Sequence, residues 1–299
     1  MGDTEHAMAN INYYILLAFQ SGKPLPAIEA DLRIYTAQIK EFGKGLLEIP
    51  LRLLWQVVLN LTGQSEHSCS FTGEAMDEDY FLKNLSHQKY YFNHYQGYQT
   101  YLYALFGHHE RGADQAMTRG ALHTLLPGSP VAVTDTFFRA ISLLAMGRKT
   151  KKRKYIRPAK KCLATIKAWS QQGNPNVCHF RSFLEAEMAA YRGRSDVAEE
   201  KYQSTILVAS RAGFVQDAAF ANERYGEFLL YDVCDQQKAV YRLQAAVSLY
   251  REWGALRKVK LLERKYADVL MPPVQILVGE SEDVSDSMTR GGDSSPLQS

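Results

Sequence analysis

Apolar positions along the chain recur at intervals of three and four residues, and no run alternates convincingly at period two. The pattern predicts helices throughout the body. In "AIEADLRIYTAQIKEFG", Ile28, Leu32, Tyr35, Ile39 and Phe42 share one face with charges opposite. Pro26 suits the first turn, where a missing N–H costs nothing, and Gly43 suits the end. "LLEIPLRLLWQVVLNLTG" is apolar on more sides, which predicts a helix covered by several neighbours; its Pro50 is either the true start or a kink. After the polar "QSEHSCSFTGEAMDED", the aromatic-rich "YYFNHYQGYQTYLYALFG" places Tyr91, Tyr95, Tyr98, Leu102 and Leu105 on one stripe ending at Gly107.

Further segments of three to five turns follow, from "RGADQAMTRGALHTL" to "QQKAVYRLQAAVSLYREWG", with very short connections. Short connections force neighbours to run antiparallel. Gly193, Gly213 and Gly254 fall where a left-handed residue is needed to leave a helix, and Asp196 with Glu199 fits a capping-box-like start. The final stretch, "LYREWGALRKVKLLERKYADVL", is read as a helix closed by Trp253, a reversal at Gly254 and a last capping helix. Its inward face would be Leu256, Val259, Leu262, Tyr266 and Val269, with Arg257, Lys258, Lys260 and Arg264 in water.

Helical hairpins that cannot bury both faces stack, and small residues at set positions let them approach. Gly193, Ala198 and Tyr202 have the Gly-x4-Ala-x3-Tyr spacing that resembles a tetratricopeptide unit. Ala239, Leu243 and Ala246 repeat the small–large–small pattern about 41 residues later, a longer period than the usual ~34. Gly107, Gly147 and Gly193 are spaced about 40 to 46 residues apart. The expected fold is all-α, an α-α superhelix of stacked antiparallel hairpins over residues 1–272. A disordered acidic, Ser-rich tail is expected at 273–299.

"RAGFVQDAAFANERYGEFLL" followed by "AAVSLYREWGALRKVKLLERKY" is similar to the tetratricopeptide-like region of large multidomain signalling proteins. In those chains a serine/threonine kinase domain and an AAA-type, STAND-like ATPase precede the helical array, and sensor modules and a histidine kinase often follow it. "SGKPLPAIEADLRIYTAQIKEFG", "RLLWQVVLNLTG" and "FTGEAMDED" occur in the same order, so the resemblance spans roughly residues 10 to 270. It implies a non-enzymatic interaction module, a scaffold or regulatory part of a signalling system that holds a protein or peptide partner. The other implied reading is a detached regulatory fragment of a multidomain ATPase/kinase. The family's catalytic residues belong to other domains, so none carries over, and no cofactor is expected.

Charge and composition add bounds. Hydrophobic residues make up 46% of the 299, ample for a core. From Glu280 onward five acids face only Arg290, a segment at −4 in a chain of net +3, so the body carries +7. Cys69, Cys162, Cys178 and Cys234 are far apart, which predicts reduced thiols, not a disulfide framework. No signal peptide or membrane-length apolar run is read, so the expected location is cytoplasmic, with nuclear entry as an alternative.

Candidate chemistry is sparse. No GxxxxGK[ST] loop and no HRD or DFG signature occurs. "RKTKKRKYIRPAKK" concentrates Arg148, Lys149, Lys151, Lys152, Arg153, Lys154, Arg157, Lys160 and Lys161. It reads first as a solvated inter-helix loop, extended before Pro158, and second as a localisation signal or an anion patch. With Tyr155 the one interleaved aromatic, the run argues against nucleic acid. His87 and His94 could share a helix face, but nothing completes a metal set around them or His108 and His109. Cys178 and His179 are adjacent and would point about 100° apart on a helix; Glu185 and Glu187 also diverge. The tyrosines from Tyr90 to Tyr103 read as core, with any exposed remainder lining a groove.

Overall fold

A computed structural model describes residues 2–41, 46 and 48–270. The segment 273–299 and the positions Phe42 and Gly43 lie outside the described residues. Every regular element among the described residues is helical. The first half comprises α1 (Gly2–Gln20), α2 (Leu25–Glu41), α3 (Ile49–Thr62), α4 (Glu78–Asn84), α5 (Lys89–Leu105), α6 (His109–Thr118) and α7 (Leu122–Leu125). Then come α8 (Pro130–Thr150), α9 (Arg153–Gln171), a 3-10 turn (Pro175–Val177), α10 (Cys178–Tyr191) and α11 (Ser195–Arg211). The series ends with α12 (Val215–Phe228), a π turn (Leu229–Val233), α13 (Gln236–Trp253), α14 (Leu256–Lys265) and α15 (Ala267–Leu270).

Most helices pack on the next in sequence: α8 on α9, α10 on α11, α11 on α12, and α12 on α13. Pro50 occupies the first turn of α3, so it marks a start and not a kink. That helix is buried on several sides because α1, α2, α5 and α14 all reach it. Gly193, Gly213 and Gly254 all take positive φ, 70°, 79° and 94°, as chain reversals require. Ala198, Tyr202, Ala239, Leu243 and Ala246 are fully buried, and Trp253 nearly so. Tyr202 stacks on Tyr225 at 5.3 Å between α11 and α12.

Several local expectations give way. Arg194, not Asp196, caps α11, and no side-chain cap bond forms; Asp196 instead sits in the first turn, where a carboxylate meets the positive end of the helix. The basic run is no long loop. Only Lys151 and Lys152 separate α8 from α9, and Pro158 lies within α9. The reason is packing: Tyr155, Ile156 and Ala159 are buried, and Ile156 lies against Gly147, where an added Cβ would stand 2.3 Å from its Cδ1. The bond that Pro158 cannot donate would go to the Lys154 carbonyl, at the exposed first turn, where water can serve it. Gly147 is therefore a helix-contact glycine, unlike the positive-φ Gly107 and Gly193 with which its spacing grouped it.

The largest departure concerns the chain's last helices. Lys258 is 1% exposed and not in water, while Leu256 is 47% exposed and not inward. The helix breaks at Tyr266 into α14 and α15. Moreover α14 packs on α3, the Trp253 ring lies 5.8 Å from that of Phe19, and Arg257 donates to the carbonyls of Ser65 and Glu66. The C-terminal helices dock against the N-terminal ones instead of ending freely.

Candidate functional site

A run of buried ions centres on α12. Glu223 and Arg224, with Glu227 one turn on, stand on a helix whose residues are almost all buried, so these charges need partners. Arg224 holds Glu187 of α10 through one edge of its guanidinium, Nε to Oε1 at 2.8 Å and Nη2 to Oε2 at 3.1 Å, and its Nη1 reaches Glu227 Oε2 at 2.5 Å. Arg148 adds a contact to Glu187 at 3.6 Å and pairs with Asp232. Glu227 Oε1 accepts from Lys265 Nζ and Tyr266 Oη, each at 2.6 Å. Lys258 Nζ donates to Glu223 Oε1 at 2.7 Å and to the Leu105 carbonyl, and Tyr250 Oη donates to Glu223 Oε2 at 2.8 Å. Burial works to raise the Glu187 carboxyl, but the Arg224 and Arg148 charges outweigh it and hold it below the usual range. Glu227 behaves likewise, with Arg224 and Lys265 overcoming burial. Every carboxylate here is matched, so the network locks helices together and leaves no proton to trade.

A different chemistry occupies the other end of α12. A cleft of about 830 Å³ opens between the end of α1, α5, the start of α8, Trp169 at the end of α9, and the first residues of α10 and α12. Its walls include Phe19, Tyr101, Phe138, Trp169, Phe180 and Phe214. His179, 1% exposed, is held between Phe180 at 4.1 Å and Phe214 at 4.8 Å. Its Nε2 is 3.0 Å from Asp217 Oδ2, while Nδ1 is buried with no hydrogen-bond partner among the described residues. Gln216 donates to the Gln20 carbonyl at 2.7 Å, and its buried Oε1 is also unmatched. His123, edge-on to Trp169 at 5.7 Å, has a buried, unmatched Nδ1 as well. Asp217 is the one ionised type in the lining, which holds no Lys, Arg or Glu.

A smaller groove of about 270 Å³ adjoins the cleft and shares Tyr98, Pro127 and Ser129 with it. Tyr13, Tyr90 and Leu125 line it and remain half exposed, as does the neighbouring Leu17. No charged residue lines this groove, and burial pushes its His94 toward the neutral form.

The residues singled out from sequence fall elsewhere. The repeat-packing positions lie in the core of α11 to α13. Of the nine cations in the basic run, Arg148 is half-buried in the ion network, and the other eight are exposed around the α8–α9 junction. Lys152, Arg153 and Lys154 crowd the start of α9, where cations oppose the helix dipole. Cys178 points at Ser170 and the Asn174 carbonyl, not at its neighbour His179. His87 is exposed, His94 contacts the Tyr90 carbonyl, and burial lowers His109 to about 3. Among the described residues no cluster of three or more His, Cys, Asp or Glu could hold a metal ion, and no helix is long and apolar enough to cross a membrane. The sequence sets His179 only against its neighbour Cys178, because its partner Asp217 lies 38 residues on; the signal for that partner is Phe214-Val215-Gln216-Asp217 opening a helix directly after a glycine reversal. Comparison with protein-family models, with curated proteins and with solved structures yields no match.

Proposed function

We propose that this protein is a non-enzymatic helical-repeat interaction module, a scaffold or regulatory part of a signalling system, built as a degenerate tetratricopeptide-like stack of hairpins. The observation that carries the binding role is the uncharged groove lined by half-exposed Tyr13, Tyr90 and Leu125, with half-exposed Leu17 on the adjoining cleft. Large apolar side chains gathered at one exposed site are where a partner gains most by excluding water. The lining calls for an apolar, uncharged partner segment, because a charge placed there would be desolvated without a counter-ion. Neighbour-on-neighbour packing of α8 through α13 supports the stacked-hairpin reading, while the signalling context rests on the sequence resemblance alone. That resemblance also favours the second reading, a regulatory fragment of a larger ATPase/kinase, which a phosphate-loop ATPase encoded in frame upstream would favour.

The test compares the wild type with a Tyr13→Glu/Leu125→Glu variant of equal thermal stability. A partner cross-linked by the wild type, lost by the variant and bound again from purified components is the expected result. Equal capture by both proteins refutes the groove. Micromolar ATP binding by calorimetry refutes the non-enzymatic assignment.

A further inference from the structure

The 830 Å³ cleft beneath the end of α1 has properties that packing alone does not require. We propose that it is a binding site for a flat, uncharged aromatic small molecule that donates an N–H or O–H to Nδ1 of His179. Three features converge on this ligand class. The volume lies in the range of small-molecule sites, roughly 300–1,000 Å³, and aromatic side chains from α1, α5, α8, α9 and α10 supply faces for stacking. The lining lacks Lys and Arg, and the single carboxylate, Asp217, is already engaged by His179 at 3.0 Å and Gln216 at 3.4 Å, so no counter-charge awaits a phosphate or carboxylate.

The third feature is the unmatched hydrogen-bonding capacity. Because Nε2 of His179 faces a carboxylate, it carries the proton, and in the neutral ring Nδ1 is left as a bare acceptor. Phe180 and Phe214 fix the ring plane, so this acceptor is preorganised. Gln216 Oε1 and His123 Nδ1 are further unmatched atoms on the same cleft. Buried polar groups in folded proteins are nearly always matched, so these three atoms on one cleft offer a donor-bearing ligand a direct gain. The site depends on His179 and its aromatic flanks, not on Tyr13 and Leu125, so it stands or falls independently of partner docking.

Three probes decide the matter by calorimetry on the full chain: indole, benzofuran and indole-3-carboxylate. Benzofuran keeps the shape of indole but lacks the N–H. Saturable indole binding is expected, with benzofuran weaker by about tenfold, as loss of one buried hydrogen bond implies, and with the carboxylate weaker than indole. His179→Phe, which keeps the ring stack, should bring indole and benzofuran to equal affinity. No saturable indole binding at millimolar concentration, equal affinities in the wild type, or preference for the carboxylate would overturn the assignment. An indole preference that survives in folded His179→Phe also overturns it. If that variant does not fold, the wild-type indole–benzofuran pair decides alone.

Discussion

The two ends of α12 handle buried polar groups in opposite ways. At the C-terminal end, Glu223, Arg224 and Glu227 are matched by Glu187 of α10, Tyr250 of α13, Lys258 and Lys265 of α14, and Tyr266 just beyond it. At the N-terminal end, Gln216 and Asp217 join His179 around a cleft in which two of the three side chains retain an unmatched atom. Burial is similar at both ends, so burial does not separate structure from function. Pairing does. A saturated network has its partners fixed within the chain and can only hold helices together. An unsaturated one keeps a capacity that something else must meet.

The strongest way to break this contrast is to remove a member of the saturated end. Arg224→Met leaves Glu187 and Glu227 buried with their principal cation gone, and the expected cost is about 3–5 kcal/mol in urea unfolding. Arg224→Met combined with Glu187→Leu should recover much of that loss, because an apolar pair of similar volume suits the site. A single variant within about 1 kcal/mol of the wild type would show that the ions are solvated in practice, and the comparison would collapse.

Acidification gives a second, smaller test. Burial, with Arg224 adding to it, lowers His109 from 6.5 to about 3, so the folded state keeps the neutral ring while the unfolded chain binds a proton. A group with a depressed folded value contributes stability above its unfolded value and loses it as pH falls toward the folded one. His109 should therefore erode stability from about pH 6.5 downward, and Glu187 and Glu227, also depressed, should join below the ordinary carboxylate range near 4.5. Between pH 6.5 and 4.5 full linkage would give about 2–3 kcal/mol; the partial exposure of His109 trims this to about 1–2. His109→Gln should make the unfolding free energy less steep across that interval, leaving the contributions of His94 and His108, which burial also lowers. A wild-type profile already flat there would remove His109 from the network's account.

How far the sequence reveals all this depends on the range of each interaction. Helix periodicity and the reversals at Gly193, Gly213 and Gly254 are local, and they stand out in the order of residues. The burial of Ala198, Ala239 and Ala246 was foreseeable because a small residue on an apolar stripe has few other uses. Lys258 illustrates the opposite case: amid Arg257, Lys260 and Arg264 it looks like one more surface cation, yet its partner Glu223 is 35 residues upstream and the Leu105 carbonyl 153. Gly226 carried no mark either, although a Cβ there would stand 2.8 Å from Leu243 Cγ, the close approach that joins α12 to α13. Pro158 misled for another reason. A rule about backbone strain was applied where buried Tyr155 and Ile156 hold the helix in place. The cleft was hidden altogether, since its lining is drawn from stretches as distant as Phe19 and Asp217.

The smallest expected effect sharpens the contrast most, because it is a predicted near-absence of change at a buried polar atom. His123 lines the cleft with its ring against Trp169 and a buried Nδ1 that has no hydrogen-bond partner among the described residues. Replacing it by leucine keeps the contact with Trp169 and deletes an unmatched acceptor. Where no bond is lost, the desolvation cost is simply relieved, so His123→Leu should lie within about 0.5 kcal/mol of the wild type or be more stable. Urea unfolding beside Arg224→Met, under one set of conditions, measures both ends of the contrast. A loss of about 2 kcal/mol or more in His123→Leu would mean that Nδ1 is structurally engaged after all. The cleft would then belong with the ion network as a device for holding the helices, and its unmatched atoms would no longer point to a ligand.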